Sequence, residues 1–354
     1  MSIEPKALDF FKQILGTPSP AGFETPVQEL VRDYAASFAD EMRTDVHGNV
    51  IAVRNPGAPL RVMLAGHCDQ IGLIVQFIDD DGFIHVSTIG GWDPQVLIGQ
   101  RLTIWGTDGP VPGIIARKPI HLLNEEERKQ VPKIKDLWLD IGAKSKDEVQ
   151  QVLRVGDAIT VELRYQEMLN GRVVSAAMDD KTGLWVVLEA LRRADRSKLK
   201  VAAYAVSTVQ EEIGLRGSHT SAFSIDPHVG IAVDVTHATD CPTIEKKEEG
   251  DIRVGQGPVI YRGPNMNHKV VERLLDAAHS HEIPYQLGAS GRATPTDANS
   301  IRINRAGVAA GLVSIPNRYM HSPVEMIALD DIDHAADLLA RFLEEIPADA
   351  EFIP

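Results

Sequence analysis

The sequence is poor in cysteine, in aromatic residues and in long apolar runs. Its 354 residues include two cysteines and 5% aromatic residues. Two cysteines are too few for a disulfide framework, and the opening residues MSIEPKALDF lack the basic and apolar segments of a secretory signal, so we expect a cytoplasmic protein. Charge, Gly or Pro interrupts every apolar run well short of the roughly 18–20 residues that cross a bilayer. The sequence therefore predicts no membrane partner.

Basic charge is also scarce. The chain has 36 Lys and Arg against 50 Asp and Glu, a formal net charge of −14, and no block of basic residues. Because clustered Lys and Arg are needed to bind a nucleic-acid backbone, we expect no nucleic-acid partner. The hydrophobic fraction, in contrast, is 44%, which is sufficient for a sizeable core. The length favours one large domain with a smaller one.

The order of predicted elements indicates an α/β domain that is interrupted by a β-rich insertion. The segment ETPVQELVRDYAASF predicts an amphipathic helix, with Thr25 as the N-cap, Pro26 in the first turn and Gln28 completing a capping box. Helices and short strands alternate in residues 1–71 and 166–354, which predicts a mostly parallel central sheet flanked by helices. Residues 72–165 instead show short strands separated by Gly, Pro and Asp, which predicts a small β-rich domain.

Acidic and imidazole side chains follow several predicted strands. Glu211 and Glu212 come just after VAAYAV, His67 and Asp69 after VMLAG, and Asp234 at the end of GIAVDV. A pair of adjacent glutamates is by itself more often solvent-exposed. In open α/β sheets, however, ligands bind beyond the carboxyl ends of the strands, which is where these residues are expected.

Further candidates lie at a helix start and in a loop. Asp179 and Asp180 precede an apolar helix, where helix capping explains one of them, and His321 lies in the loop RYMHSPVEM. Taken singly, His321 is more often an ordinary loop histidine and Asp234 a turn residue. Together with the strand-end residues they form a mixed nitrogen and oxygen donor set that suits Zn²⁺, Co²⁺ or Mn²⁺.

Such a donor set predicts metal-assisted hydrolysis. A carboxylate shared by two ions would hold them about 3.5–4 Å apart. If Glu212 binds a metal, Glu211 is held beside the metal-bound water, where it can act as general base. Asp69, two residues from His67 on an extended chain, can fix the orientation of that imidazole.

These motifs resemble the M42 family of metallo-aminopeptidases, which includes TET, glutamyl and deblocking aminopeptidases. The likeness runs in order along nearly the whole chain, through AGHCDQIG, GGWDPQVLIGQ, LWLDIGAKSKDEV, SAAMDDKTG, EEIGLRGS, DVTHATD and MHSPVE. It implies an exopeptidase that removes the N-terminal residue from peptides with a free N-terminus. It also implies that the β-rich insert is a PDZ-like barrel used in dimerisation, and that dimers assemble into a hollow tetrahedral dodecamer.

The resemblance implies two divalent ions per subunit, Zn or Co, with Mn as an alternative. It assigns one role to each candidate residue: His67 and Asp234 bind one ion, Glu212 and His321 bind the other, Asp179 bridges them, Glu211 is the general base and Asp69 orients His67. The peptide bond that follows Asp179 is expected to be cis.

Two other functions are open at this stage. An endoglucanase-like glycoside hydrolase also uses two carboxylates, but it does not need two histidines, and sugar-binding grooves are usually rich in aromatic residues. A non-catalytic assembly protein could hold metals for folding alone. Structural zinc sites, however, are usually closed and rich in cysteine, whereas these candidates are mainly carboxylates.

Overall fold

The computed structural model describes residues 3–354 and confirms the predicted fold class. The first elements are α1 (Pro5–Gly16), α2 (Thr25–Ala35), β1 (Glu41–Thr44), β2 (Val50–Arg54) and β3 (Arg61–His67). The middle elements are β4 (Gly72–Ile78), β5 (Ile84–Ile89), α3 (Pro94–Leu97), β6 (Arg101–Gly106), β7 (Gly109–Ala116), α4 (Glu125–Lys129), β8 (Trp138–Asp140), α5 (Lys146–Gln150) and β9 (Ala158–Val161). The last elements are β10 (Gln166–Glu167), β11 (Arg172–Ser175), α6 (Met178–Arg193), β12 (Ala202–Thr208), α7 (Arg216–Ile225), β13 (Val229–His237), α8 (Lys246–Glu249), β14 (Val259–Arg262), α9 (His268–Ser280), β15 (Gln286–Ala289), α10 (Asp297–Arg302), β16 (Ala309–Asn317), β17 (Glu325–Ala328) and α11 (Leu329–Glu345).

The central sheet has eight strands in the order β1-β2-β12-β3-β13-β16-β14-β15. Its four middle strands, β12, β3, β13 and β16, are parallel, so their carboxyl ends meet at one edge. Side chains alternate between the faces: Leu64 packs in the larger core with α1, α2, α6, α9 and α11, whereas Met63 packs with α7 and α10. Within residues 3–354, the helices all fall short of the length and apolarity needed to span a bilayer.

A separate β-barrel is formed by the strands between Gly72 and Val161. Six antiparallel strands close in the order β4-β5-β8-β7-β6-β9 around their own core, which includes Leu73, Ile104 and Leu139. A further small sheet, β10-β11-β17, lies outside the barrel and joins the segment before α6 to the segment before α11. The barrel therefore has a core that is distinct from that of the central sheet.

Helix α2 is present as predicted, but its predicted capping box is wrong. The N-cap residue is Glu24, and its side chain makes no capping hydrogen bond. Gln28 donates instead from Nε2 to the carbonyl oxygens of Gly48, at 3.0 Å, and Ser207, at 3.1 Å. The Gln28 side chain therefore makes tertiary hydrogen bonds and does not cap the helix, because it lies against the carboxyl end of β12.

Candidate metal centre

The parallel register of the middle strands brings the predicted site residues together. His67 is the last residue of β3 and lies opposite Thr208, the last residue of β12. The register that pairs Ala65 with Ala232 brings β13 alongside, so Asp234 lies level with His67. Since β12 ends just before Glu211, the carboxyl ends of three strands supply neighbouring polar side chains.

Asp179 lies at the centre of the site. Its Oδ1 is 3.1 Å from Nε2 of His67, and its Oδ2 is 3.2 Å from Nε2 of His321. The backbone is not helical at Asp179 and Asp180, and the peptide bond between them is cis, as the resemblance implies. One carboxylate therefore faces both imidazoles, the arrangement expected of a group that bridges two ions.

The other predicted ligands lie on either side of Asp179. Nε2 of His67 is 3.8 Å from Oε2 of Glu211 and 4.0 Å from Oδ1 of Asp234, and one donor atom from each of the three lies within 4.8 Å of the others. On the other side, Nε2 of His321 is 3.5 Å from Oε1 of Glu212. The structure thus assembles two adjacent groups of nitrogen and oxygen donors.

Asp69 lies beside His67, but its carboxylate has another partner. The nearest acceptor to Nδ1 of His67 is the main-chain oxygen of Asp69, at 3.0 Å, whereas the carboxylate Oδ1 is 3.5 Å away. The two carboxylate oxygens accept hydrogen bonds from the backbone N–H groups of Glu211, at 3.0 Å, and Glu212, at 3.1 Å. Asp69 thus contacts the imidazole through its main-chain oxygen and, at the longer distance, through its carboxylate, which also holds the turn that carries both glutamates.

Excess negative charge in a buried site shifts the proton equilibria of the carboxylates. Burial, together with the neighbouring Asp179, raises the pKa values of Glu212 and Asp234 well above their usual range. Burial also raises the pKa of Glu211, and Asp234 adds to the shift while His67 opposes it. Like charges in a low-dielectric site cannot all ionise without a counter-charge. The buried carboxylates of the site therefore need a bound cation or protons to offset their negative charge.

The pKa values of the two imidazoles and of Asp179 shift so as to favour the charged forms of these groups. Burial alone would lower the pKa of His67, but Glu211 and Asp179 outweigh it and hold that pKa well above the ordinary value. The hydrogen bond to Asp179 raises the pKa of His321. Burial would raise the pKa of Asp179, yet the hydrogen bonds from His321 and His67 lower it strongly. Asp179 is therefore the carboxylate most readily ionised.

These residues fit a pair of divalent ions. Among residues 3–354, the buried Oε1 of Glu212 has no hydrogen-bond partner, and the nearest imidazole nitrogen, Nε2 of His321, is 3.5 Å away. An unpartnered buried carboxylate oxygen is costly unless a cation meets it. Four carboxylates and two imidazoles are the oxygen and nitrogen donors that borderline divalent metals prefer.

Three further buried carboxylates lie at the site, in addition to the residues to which the resemblance assigns a role. Glu325 accepts hydrogen bonds from the backbone N–H groups of Asp179, at 3.0 Å, and His321, at 2.7 Å. Asp180 accepts from the backbone N–H of His67 at 3.2 Å, and Asp297 accepts from the hydroxyl of Thr208 at 2.6 Å. The MHSPVE motif contains Glu325, but only the tertiary structure shows which backbone groups it holds.

A cavity of about 1160 Å³ opens onto the centre. Asp179, Glu211, Glu212, Asp234 and His321 form part of its wall, and the loop between β15 and α10 and the segment around α8 form much of the rest. The segment that follows β5 also contributes, because the carbonyl oxygen of Gly91 lies 2.8 Å from Nδ1 of His321. The cavity is large enough for the end of a peptide.

The sheet, the donor groups and the cavity beside them are together those of a metal-dependent hydrolase. The model of the M42 glutamyl aminopeptidase family matches residues 48–338. The chain belongs to this family and is an aminopeptidase. Lysyl aminopeptidase of Pyrococcus furiosus is 38% identical over 344 residues, which cover 96% of this chain and 97% of that protein.

Solved structures show the same similarity. A TET aminopeptidase from a marine sediment archaeon of the Thaumarchaeota is 35% identical, with a TM-score of 0.91 and coverage of 96% of each chain. The TET1 peptidase of Pyrococcus horikoshii, which can assemble into a tetrahedron or a large octahedral shell, is 26% identical, with a TM-score of 0.85 and coverage of 96% of this chain and 100% of that chain. The family does not favour the glycoside hydrolase alternative.

Proposed function

We propose that this aminopeptidase works with two divalent ions per subunit, Zn or Co, with Mn as the alternative. His67 and Asp234 would hold one ion, Glu212 and His321 the other, and Asp179 would bridge them. The observation that supports this assignment most directly is the contact of each Asp179 oxygen with a different imidazole, at 3.1 and 3.2 Å. When bound, the ions would polarise the scissile carbonyl and lower the pKa of water.

The residues of the chain divide the remaining tasks. Glu211 takes a proton from the attacking water on a carboxylate oxygen and returns it to the nitrogen of the leaving amine. Burial favours this role, because it raises the pKa of Glu211 and so makes its carboxylate a stronger base. The surplus of carboxylates also attracts the α-ammonium group of a peptide, which explains why a free N-terminus is needed.

Aminoacyl p-nitroanilides and their N-acetylated counterparts test the proposal. Protein stripped of metal and reloaded with Zn²⁺, Co²⁺ or Mn²⁺ should cleave only the free-amine substrates, and stripped protein should cleave neither. Metal content should reach two ions per chain at full activity. Cleavage of the acetylated substrates, or full activity with one ion per chain, would contradict the proposal.

The substrate preference that the cavity supports is for a cationic N-terminal residue. Glu248 and Glu249 of α8 line the cavity, and neither has an ion-pair partner within 4.0 Å among residues 3–354. Arg292 also lines the cavity, so the two glutamates and this arginine together contribute a net negative charge to the wall. A relative that is 38% identical is named lysyl aminopeptidase, which agrees with this preference. Lys and Arg p-nitroanilides should therefore be cleaved faster than Leu or Glu p-nitroanilides.

Assembly and location belong to the same proposal. The barrel serves in dimerisation, and the dimers form a hollow tetrahedral dodecamer in the cytoplasm. Apolar side chains that are exposed on the barrel and its β7–β8 loop support an interface there, including Phe77, Ile114, Ile120 and Leu122. The shells formed by the Pyrococcus horikoshii relative support the closed assembly. Native mass spectrometry should give twelve copies, and a stable, fully active monomer would contradict this part.

A further inference from the structure

Four side chains, from three parts of the chain that are distant in sequence, bind the backbone of residues 207–212, the segment that carries both catalytic-site glutamates. Gln28 donates to the carbonyl oxygen of Ser207, and Asn49 Oδ1 accepts from the N–H of Val209 at 3.1 Å. Asp69 accepts from the N–H groups of the two glutamates, as described above. Such dense side-chain support is typical of a segment whose geometry matters for function.

The fourth of these side chains belongs to Glu24, which is only 7% exposed. Its Oε1 accepts hydrogen bonds from the N–H of Gly22, at 2.7 Å, and from the N–H of Gln210, at 3.1 Å. Glu24 directly precedes α2, where an acidic side chain commonly caps the helix, but it makes no such bond. The carboxylate is directed instead toward the turn after β12.

The backbone of Gln210 explains why this contact is needed. Its φ angle is +55°, in the left-handed region that disfavours residues other than glycine. In this conformation the N–H groups of Gln210, Glu211 and Glu212 all point to carboxylates, the first to Glu24 and the other two to Asp69. Successive N–H groups arranged in this way form an anion-binding concavity. Two buried carboxylates thus hold three consecutive amides.

We infer that Glu24 is a positioning residue of the aminopeptidase reaction: its buried carboxyl group fixes the turn at Gln210 and so aims Glu211 at the reacting atoms. The inference rests on the proposed role of Glu211 as proton acceptor. Glu24 does not line the cavity, so it acts through the turn and has no contact with substrate. Burial raises the pKa of Glu24 to about 7, while the N–H groups of Gly22 and Gln210 favour its charged form. Both its charged and its neutral form can accept these bonds.

Three substitutions test this role. Glu24→Ala removes the acceptor, and Glu24→Asp keeps a carboxylate but withdraws it by one methylene from the N–H of Gln210. Both should lower kcat about tenfold to a hundredfold, because a displacement of about 1 Å at the reacting groups has that effect. KM and the number of bound ions should stay within about twofold of the parent. Glu24→Gln keeps an oxygen acceptor at full reach and should restore most of kcat.

Glu344→Ala is the matched control. Glu344 is also buried, at 8% exposure, and its Oε1 accepts a hydrogen bond from the backbone N–H of Asp195 at 2.8 Å, away from the cavity. This variant should lose stability as Glu24→Ala does, yet keep the parental kcat below its melting temperature. If Glu24→Ala does not fold, the comparison of Glu24→Asp with Glu24→Gln decides.

The outcomes separate this inference from the proposed function. A kcat of Glu24→Asp within twofold of the parent, or an equal loss in Glu24→Gln, would overturn the positioning role. A parallel loss of bound metal would overturn it as well, because Glu24 would then support the ligands and not the base. The Glu211→Gln variant is measured beside them. If it is inactive while the Glu24 variants are normal, only the positioning role fails; if it is fully active, the proposed function itself fails.

Discussion

Two clusters of buried charged side chains differ in how their carboxylates are paired. The helix-face cluster consists of Glu189, Arg192, Arg193, Asp333 and Asp337. Glu189 is fully buried, and its carboxylate meets Nε of Arg192 at 2.7 Å and Nε of Arg193 at 3.1 Å. The strand-end cluster consists of the six residues proposed to bind metal or act as base: His67, Asp179, Glu211, Glu212, Asp234 and His321. It holds four carboxylates and no Lys or Arg.

The pKa of a buried glutamate is shifted in opposite directions in the two clusters. Burial would raise the pKa of Glu189, but the hydrogen bond from Arg192 outweighs it and lowers that pKa. The pKa of Glu212 is raised, first by burial and then by Asp179. Carboxylates that meet a guanidinium need nothing from outside the chain, whereas buried carboxylates without a Lys or Arg partner need a cation or protons. The difference separates a structural network from a reactive site.

The sharpest test of this comparison places one substitution in each cluster. Glu211→Gln should lower kcat by about 10²- to 10⁴-fold, the usual contribution of a general base. The ion content, measured by mass spectrometry of the elements, should stay at the parental value, since Glu211 is not a proposed ligand. The melting temperature should not fall, because the substitution removes a carboxylate that is costly to bury. Near-normal turnover at full metal occupancy would show that the proton acceptor lies elsewhere.

Removing the ions should have the next largest effect, and it should fall on stability. Ions held at about a hundred times their dissociation constant stabilise a fold by about 2.7 kcal/mol per site. Chelation should therefore lower the melting temperature while the circular dichroism spectrum at 25 °C stays native, because the apolar side chains on both faces of the sheet and in the barrel bury one another without the ions. Complete unfolding on chelation would favour the purely structural alternative.

The loss on chelation should grow with pH. In the stripped protein the pKa values of Glu211, Glu212 and Asp234 are raised, so the folded state binds more protons than the unfolded chain. This contribution is fully present below the unfolded pKa, about 4, and is lost as pH rises through the folded pKa. His67, also raised, acts in the same direction. Metal binding instead improves with pH, because protons compete for the ligands. The difference in melting temperature between loaded and stripped protein should widen from about pH 5.5 to 8, and a constant difference would contradict this reading.

The helix-face cluster should show the opposite pattern. Glu189→Gln weakens charged hydrogen bonds to Arg192 and Arg193 and should lower the free energy of unfolding by about 2 kcal/mol. Urea unfolding measures this loss. Turnover at 25 °C should remain within about twofold of the parent, because the cluster does not line the cavity. A large fall in kcat without loss of stability would remove the distinction between the two clusters.

The two clusters also differ in how far the sequence predicts them. Four residues of the strand-end cluster, His67, Glu211, Glu212 and Asp234, lie at or just after the ends of strands, and parallel strands bring such positions together, so their adjacency follows from a correct fold class. Asp179 begins a helix and His321 lies in a loop, so only the family resemblance predicts that they join the others. In the helix-face cluster, the spacing from Glu189 to Arg192 and Arg193 indicates contact on one helix. The partner Asp333, however, lies 140 residues from Arg193, and no local pattern connects them.

Contacts to the backbone are what sequence reasoning missed in this site. The carboxylate of Asp69 lies 3.5 Å from His67, where it was expected, but it also holds the amides of Glu211 and Glu212, and Glu325 holds the amide of Asp179 across 146 residues. Patterns of side-chain type identify candidate ligands, because metals bind particular donor atoms. They do not identify acceptors for main-chain N–H groups, since any buried carboxylate or amide oxygen can serve.

The smallest expected effect concerns carboxylates that are neither buried nor paired. Glu249→Gln should lower the ratio of kcat/KM for Lys to that for Leu p-nitroanilide about two- to fivefold, because one exposed charge contributes up to about 1 kcal/mol. Salt should reduce the effect by screening. Glu245→Gln is the matched control: this residue lies just before α8, pairs with Lys247 at 3.7 Å and does not line the cavity. An equal change in both variants would show that the preference arises from the overall charge of the segment. An unchanged ratio in Glu249→Gln would show that the carboxylates of α8 do not select the substrate. The expected result would add a third class of carboxylate to the comparison. Buried carboxylates paired with arginine stabilise the fold, buried carboxylates without Lys or Arg take part in the reaction, and unpaired exposed carboxylates select the substrate.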